Sequence, residues 1–358
     1  MLARKNVAQI KAYQPGKPIE DVKRELGLTE VIKMASNENP LGPSPKAVAA
    51  MRRALTSVNR YPDSQSFYLK RKLAAAIGVD TKNICLGNGS DELIDVVIKT
   101  FVEADENVVT ADVTFLEYEI IAQVNDRRVK KVPLKNFTYD IEGLIARIDK
   151  KTKLVFIANP NNPTGTYLSK GDVRRLVRAL PKRTILVLDE AYDTFIDVDD
   201  YPQGVTLIER NVIVLKTFSK GYGLAGLRIG YAAAREELIA AMEKVRQPFN
   251  VNLLAQAGAL AALDDGRFLR RTRATILDGK AYLYKELKAL GVRFVPSVTN
   301  FILIDVKRDG VRVFQELLQL GIIVRDMKQY GLKNYIRVTI GTEYENKKFI
   351  SALKRVVR

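Results

Sequence analysis

Lys220 stands in the stretch TFSKGYGLAGLRIG, residues 217–230, directly after the apolar, β-branched run NVIVLK. Four glycines in so short a stretch let the backbone turn tightly or approach a ligand closely. A lysine at the end of a buried strand is placed for chemistry, because its amine can form a Schiff base with an aldehyde. Arg228, eight positions on, can bind phosphate together with Ser219 and Thr217. Three more polar clusters follow apolar runs: GNGSDE after NICL, NPNNPTG after KLVFIA, and DEAY after TILVL. Any one of them reads equally well as a turn or a helix cap. Four at equivalent strand ends point to one site, since ligands of open parallel sheets bind beyond the carboxyl ends of the strands.

The chemistry of these clusters converges on one ligand. Free N–H groups at Gly89, Ser90, Asp91 and Glu92, where a turn opens a helix, suit a phosphate. Asp189 at a buried strand end is costly unless it meets a cation, and a pyridinium nitrogen is such a cation. Asn162 and Tyr192 can hydrogen-bond a phenolic oxygen, and Phe115 can stack on a ring. Phosphate, aldehyde, phenol and pyridine in one molecule describe pyridoxal 5′-phosphate.

The elements that must position these residues alternate along the chain. NICLG, NVVTA, RVKKVPL, KLVFIANP, TILVLDEA and NVIVLKTFS read as strands. Between them, SDELIDVVIKTFV, TFLEYEIIAQV and KGDVRRLVRAL read as helices. Short apolar strands separated by helices predict an α/β fold with a mostly parallel sheet covered on both faces. After residue 252, two long helical runs and four short strand-like runs predict a smaller α+β domain. The expected division is an arm over residues 1–40 that packs with the small domain, a large cofactor-binding domain over 41–260, and a small domain over 261–358.

Composition removes several function classes. The 358 residues include no histidine and one cysteine, Cys85. Catalysis by a serine–histidine or cysteine–histidine pair is therefore excluded, as are an internal disulfide framework and a multi-thiolate metal site. Acid–base work falls to Lys, Tyr, Asp or Glu. The net charge of +17 is spread over runs such as KRKLAAA, DVRRLVRAL and FLRRTRA, which favours a solvated basic surface over a nucleic-acid footprint. No apolar run is long enough to span a bilayer. The opening MLARKNVAQIKAY carries no apolar signal core, so a cytoplasmic location is expected.

Nearly end to end, the chain resembles the fold-type I aminotransferases of classes I and II, and most closely their histidinol-phosphate branch. The resemblance rests on YQPGKP (13–18), SNENPLGPSP (36–45), NRYPD (59–63), GNGSDELI (87–94), ANPNNPTG (158–165), DEAY (189–192), TFSKGYGLAGLRIGY (217–231), PFNVN (248–252) and the C-terminal GIIVRDM and IRVTIGT segments. It implies a large domain with a seven-stranded-type sheet and a homodimer with shared sites. It also implies a transamination between a phosphorylated amine and glutamate or 2-oxoglutarate. Lys220 would hold pyridoxal 5′-phosphate and Arg228 its phosphate. Lys220, Asp189 and Tyr192 would carry the catalysis. Arg325 and Arg337 would bind substrate, and Tyr13, Asn37 and Tyr61 resemble family residues near it, Tyr61 reaching in from a partner subunit. For Tyr13 and Tyr61, aromatic packing at a dimer interface is an equal reading. An aromatic amino-acid aminotransferase or a threonine-phosphate decarboxylase of the same fold stays open, and a silent binding protein is disfavoured by the intact Lys220, Asp189 and Arg228. Three departures stand out: Val113 where proline is usual, Gly221 where alanine is usual, and Thr194 where an acidic residue is common.

Overall fold

The computed structural model describes residues 2–12, 14 and 16–357. Its central sheet has seven strands: β1 (Ile84–Gly87), β2 (Asn107–Ala111), β3 (Arg128–Val132), β4 (Thr152–Ala158), β5 (Ile185–Asp189), β6 (Val212–Thr217) and β7 (Gly230–Ala233). Their order is β1-β7-β6-β5-β4-β2-β3. All pairs are parallel except those of β7, which runs antiparallel to both β1 and β6. Two antiparallel steps leave β1 pointing the same way as β4, β5 and β6. The carboxyl ends of these four strands therefore open on the same side, and each carries one of the polar clusters.

Central strands of such a sheet must be apolar on both faces. In β5, Ile185 and Val187 join one core cluster, and Leu186 and Leu188 join the other. The edge strand β3 exposes Arg128 and Lys131 instead, which blunts a free edge. Two elements differ from the sequence reading. β7 is built from GYAA, a run too short and too small in side chain to announce a strand. The helix expected from Thr114 begins at Glu117. Thr114 is instead drawn into a hydrogen-bonded corner, its Oγ1 donating to Asn161 Oδ1 at 2.8 Å.

A second sheet is formed by β8 (Arg293–Val295), β9 (Phe301–Asp305), β10 (Arg325–Asp326) and β11 (Tyr335–Thr339), antiparallel in the order β10-β11-β9-β8. Alternation decides its two faces. Ile302, Ile304, Ile336 and Val338 pack with Ile276, Leu283, Phe349 and Leu353 of the covering helices. Leu303 faces the other way, where Val113 and Leu116 pack. Arg337 is the Cα partner of Leu303 on one side and of Arg325 on the other. Directly opposed residues share a face, so both arginines turn away from the helix-covered core. Residues Ile32–Lys33 pair with Ile322–Ile323. Met34 then donates its N–H to Ile323 O at 2.7 Å and accepts from Thr339 N at 2.8 Å. This stitching delivers Ser36 and Asn37 to the cleft. Among the described residues, no helix is long and apolar enough to cross a membrane.

Candidate active site

A cavity of about 330 Å³ lies beyond the carboxyl ends of β1, β4, β5 and β6. It is lined by residues of all four strand-end clusters, including Ser90, Asn162, Asp189 and Lys220, and by Arg337 of the second sheet.

Asp189 ends β5 and is 5% exposed. Its Oδ2 accepts the Tyr118 hydroxyl at 2.8 Å and its Oδ1 the Ala191 N–H at 3.1 Å. Burial pushes the carboxyl up to about 6, although both hydrogen bonds pull the other way. Tyr118 is itself buried and stacks on Phe156 at 4.9 Å. Phe115 meets Tyr118 edge-on at 5.6 Å. The segment carrying Phe115 is fixed by Asn161, whose Nδ2 donates to Val113 O at 3.0 Å. A backbone carbonyl does that work, and valine offers one as well as proline does.

Lys220 Nζ donates to Ser36 O at 3.2 Å and sits 5.7 Å from the Tyr192 ring centroid. The Tyr192 hydroxyl accepts from Asn37 Nδ2 at 2.9 Å, and burial raises its pKa. Asn37 is itself knotted into the fold: its N–H donates to Thr339 Oγ1 at 2.9 Å, and its carbonyl accepts from Asn300 Nδ2 at 3.0 Å. Accepting from Asn37 leaves the Tyr192 O–H free to donate elsewhere. The Gly221 and Thr194 departures explain each other. A Cβ at Gly221 would lie 2.6 Å from the Thr194 side chain.

Arg228 adopts a left-handed φ of 53°, uncommon for a residue with a side chain. Its guanidinium donates to Asp91 Oδ2 at 2.9 Å and to Ser219 Oγ at 3.4 Å. Thr217 Oγ1 donates to Ser219 Oγ at 3.0 Å. Gly89 turns at φ 83°, and a Cβ there would lie 2.6 Å from Arg228 Nη2. Only glycine allows the turn to come this close to the arginine. With the Ser90 and Asp91 N–H groups at the start of helix Ser90–Phe101, this makes an anion cradle.

Arg337 is 5% exposed. It donates to Asn162 Oδ1 and, at 2.8 Å, to Ala35 O. Its Nε is buried without a partner among the described residues. The residue lines the cavity, and its guanidinium suits an anionic ligand there. The donor set thus fits pyridoxal 5′-phosphate: a cradle for phosphate, a carboxylate for the ring nitrogen, and an amine for the aldehyde. Asn162 and Tyr192 remain for the phenolic oxygen.

Glu92, Arg325 and Tyr61 lie away from the cavity lining. Glu92 accepts from Asn88 N and Asn250 Nδ2, both at 2.6 Å, and braces the turn from outside the cavity lining. Arg325 is buried opposite Arg337, with Nη2 donating to Gln329 at 3.2 Å, and is not among the lining residues. Tyr61 is 83% exposed and stacks on Phe249 at 4.7 Å. Tyr13 lies outside the described residues. Conversely, Ser36, Glu38, Glu117 and Tyr118 line the cavity and escape the sequence reading. Tyr118 and Glu117 sit in a helical run whose apolar neighbours suggest only packing.

Residues 29–353 match the family model for aminotransferase class I and II. The chain belongs to this family. It is 46% identical over 357 residues to the histidinol-phosphate aminotransferase of Moorella thermoacetica, covering 99% of this chain and 92% of that one. With the histidinol-phosphate aminotransferase of Desulfotalea psychrophila the identity is 45%, over 97% and 93% of the two chains. Among solved structures, the histidinol-phosphate aminotransferase of Sinorhizobium meliloti in complex with pyridoxal 5′-phosphate superposes with a TM-score of 0.91. That match is at 30% identity and covers 100% of this chain and 98% of that one. The fold is the fold-type I aminotransferase fold, and as a member of that family the protein is a transaminase acting on small molecules.

Proposed function

We propose that the protein uses pyridoxal 5′-phosphate to exchange an amino group between L-histidinol phosphate and 2-oxoglutarate. The observation that carries this reading is the pairing of Lys220, Asp189 and Arg228 in one cavity with the anion-seeking Arg337. The names of the near full-length relatives support it.

When bound, the cofactor supplies an aldehyde carbon for the amino group and a protonated ring that takes up the electron pair left at the donor Cα. Asp189 holds the proton on the ring nitrogen. A cation there would offset the burial that raises its pKa and favour the carboxylate. The Tyr192 O–H and Asn162 Nδ2 donate to the phenolic oxygen. Asn162 is oriented for this because its Oδ1 already accepts from Arg337. Gly89, Ser90, Asp91, Thr217, Ser219 and Arg228 hold the phosphate. Lys220 would anchor the group through its amine and would move a proton from the donor Cα as general base and then acid.

Two guanidinium groups on one face of a strand pair, at 8% and 5% exposure, repel each other in a poorly screened setting. An anion between or beside them offsets that cost, and arginine suits carboxylate and phosphate alike. Arg337, in the cavity wall, can serve glutamate in one half-reaction and a phosphorylated amine in the other, with Arg325 beside it on the same face. We also infer a homodimer. Exposed Leu55, Val58, Tyr61, Phe67, Tyr68 and Phe249 support an apolar surface that a second copy covers. Sedimentation showing an active monomer at assay concentration would exclude it.

The test of the reaction is a panel of amino donors with 2-oxoglutarate. Histidinol phosphate should give the highest kcat/KM. A phenylalanine preference would move the assignment to an aromatic aminotransferase of the same fold.

A further inference from the structure

Four carboxylates line the cavity among the described residues: Glu38, Asp91, Glu117 and Asp189. Three have partners. Glu38 meets Lys33 at 3.0 Å, Asp91 meets Arg228 at 2.9 Å, and Asp189 accepts from Tyr118 and Ala191. The Glu117 side chain makes no hydrogen bond or ion pair with any described residue. The neighbouring Glu119 behaves as a surface glutamate and bridges Lys131 at 3.0 Å. Glu117, also partly buried, lines the cavity wall. Burial and the nearby Asp91 raise its pKa, the mark of an acceptor short of donors.

The same cavity therefore holds an unfilled acceptor on Glu117 and the cationic guanidinium of Arg337. A molecule with an anionic group and an N–H-bearing group complements both. The donor's own amine must go to Lys220, so the group that meets Glu117 is a second N–H. An imidazole presents one in either protonation state. A phenyl ring presents none.

We infer that Glu117 is a specificity-determining residue that accepts a ring N–H from the amino donor, selecting imidazole-bearing donors over phenyl-bearing ones. This rests on the histidinol-phosphate reading above for its preferred donor, but its test does not depend on that donor alone. A hydrogen bond to an ionised group corresponds to roughly a ten- to hundredfold effect.

The experiment measures kcat/KM of wild type, Glu117→Ala and Glu117→Gln with histidinol phosphate, histidine, phenylalanine and glutamate. Glu117→Ala should lower kcat/KM for histidinol phosphate and histidine at least tenfold more than for phenylalanine, mainly through KM. Glu117→Gln, which keeps an acceptor oxygen, should fall between. In a Lys220→Ala background, calorimetric binding of histidinol phosphate should weaken about tenfold when Glu117→Ala is added. Equal losses on all four donors, or unchanged binding, overturn the inference. If wild type does not use histidinol phosphate, the reaction assigned above fails. The preference for histidine over phenylalanine then decides the role of Glu117: its loss in Glu117→Ala upholds the inference, and its absence or persistence overturns it.

Discussion

Replacing Asp189 with asparagine separates the cost of a buried carboxylate from its use. In protein freed of cofactor, burial raises the carboxyl from its usual 3.8 to about 6. Well below pH 3.8 the acid is neutral in both the folded and unfolded chains, and folding carries no penalty. As pH rises the unfolded chain ionises first, and the folded state loses stability until its own carboxyl titrates near pH 6. At about 1.36 kcal/mol per pKa unit the full penalty is about 3 kcal/mol. About 2 kcal/mol of it develops between pH 4.5 and 7.5. The amide of Asp189→Asn carries no such charge. It still accepts one of the two N–H and O–H donors now shared by the carboxylate, and losing the other is a cost of about 1 kcal/mol that does not vary with pH.

The assay is urea unfolding of cofactor-free wild type and Asp189→Asn at pH 4.5 and 7.5. The variant should gain about 2 kcal/mol on wild type over that interval. Activity should move the other way. Removing the partner of a desolvated cation costs about 3–5 kcal/mol, so turnover should fall roughly 10²- to 10⁴-fold. Parallel stability profiles would refute the buried-carboxylate account. Turnover within tenfold of wild type would refute the role at the ring nitrogen.

Gly89→Ala forces a Cβ to within 2.6 Å of Arg228 at a φ that L-residues avoid, and should weaken cofactor binding about tenfold or more. Titration of cofactor absorbance checks it. Arg337→Ala removes the cavity-lining cation and leaves Asn162 Oδ1 and Ala35 O without their donor. It should lower kcat/KM roughly 30-fold or more for both glutamate and histidinol phosphate. Arg325→Ala should lower histidinol-phosphate turnover while sparing phenylalanine. Equal losses on all donors would make Arg325 structural.

The large sheet was legible because buried parallel strands leave unbroken apolar runs, and because each strand-end cluster is contiguous in sequence. Lys220, Asp189 and Arg228 announce themselves by standing beside such runs. Residues joined only by folding were not legible. Asn37 and Tyr192 are 155 positions apart, and Tyr118 reaches Asp189 across 71. No local pattern encodes either bond. β7 stayed hidden for a different reason. Its small residues carry no strand propensity, and its place is set by the close approach of Gly230, where a Cβ would lie 2.7 Å from Ser90 N.

Pairs of departures carry information that single ones do not. Taken alone, Gly221 beside Lys220 loosens the turn that holds the lysine, and Thr194 removes a charge. In the structure, the Thr194 side chain fills the space that a Cβ at position 221 would need. One substitution makes room for the other, and the packing around the lysine loop is kept. The charge is kept nearby as well. Lys216, just before the loop, pairs with Glu190 at 2.8 Å and with Asp193. Glu190 also accepts the Gly204 N–H at 2.8 Å. A partly buried cation with two carboxylates fixes the end of β6 independently of position 194. The loop that presents Lys220 therefore rests on β6 and on van der Waals contact with Thr194, which an alanine at 221 would turn into a clash.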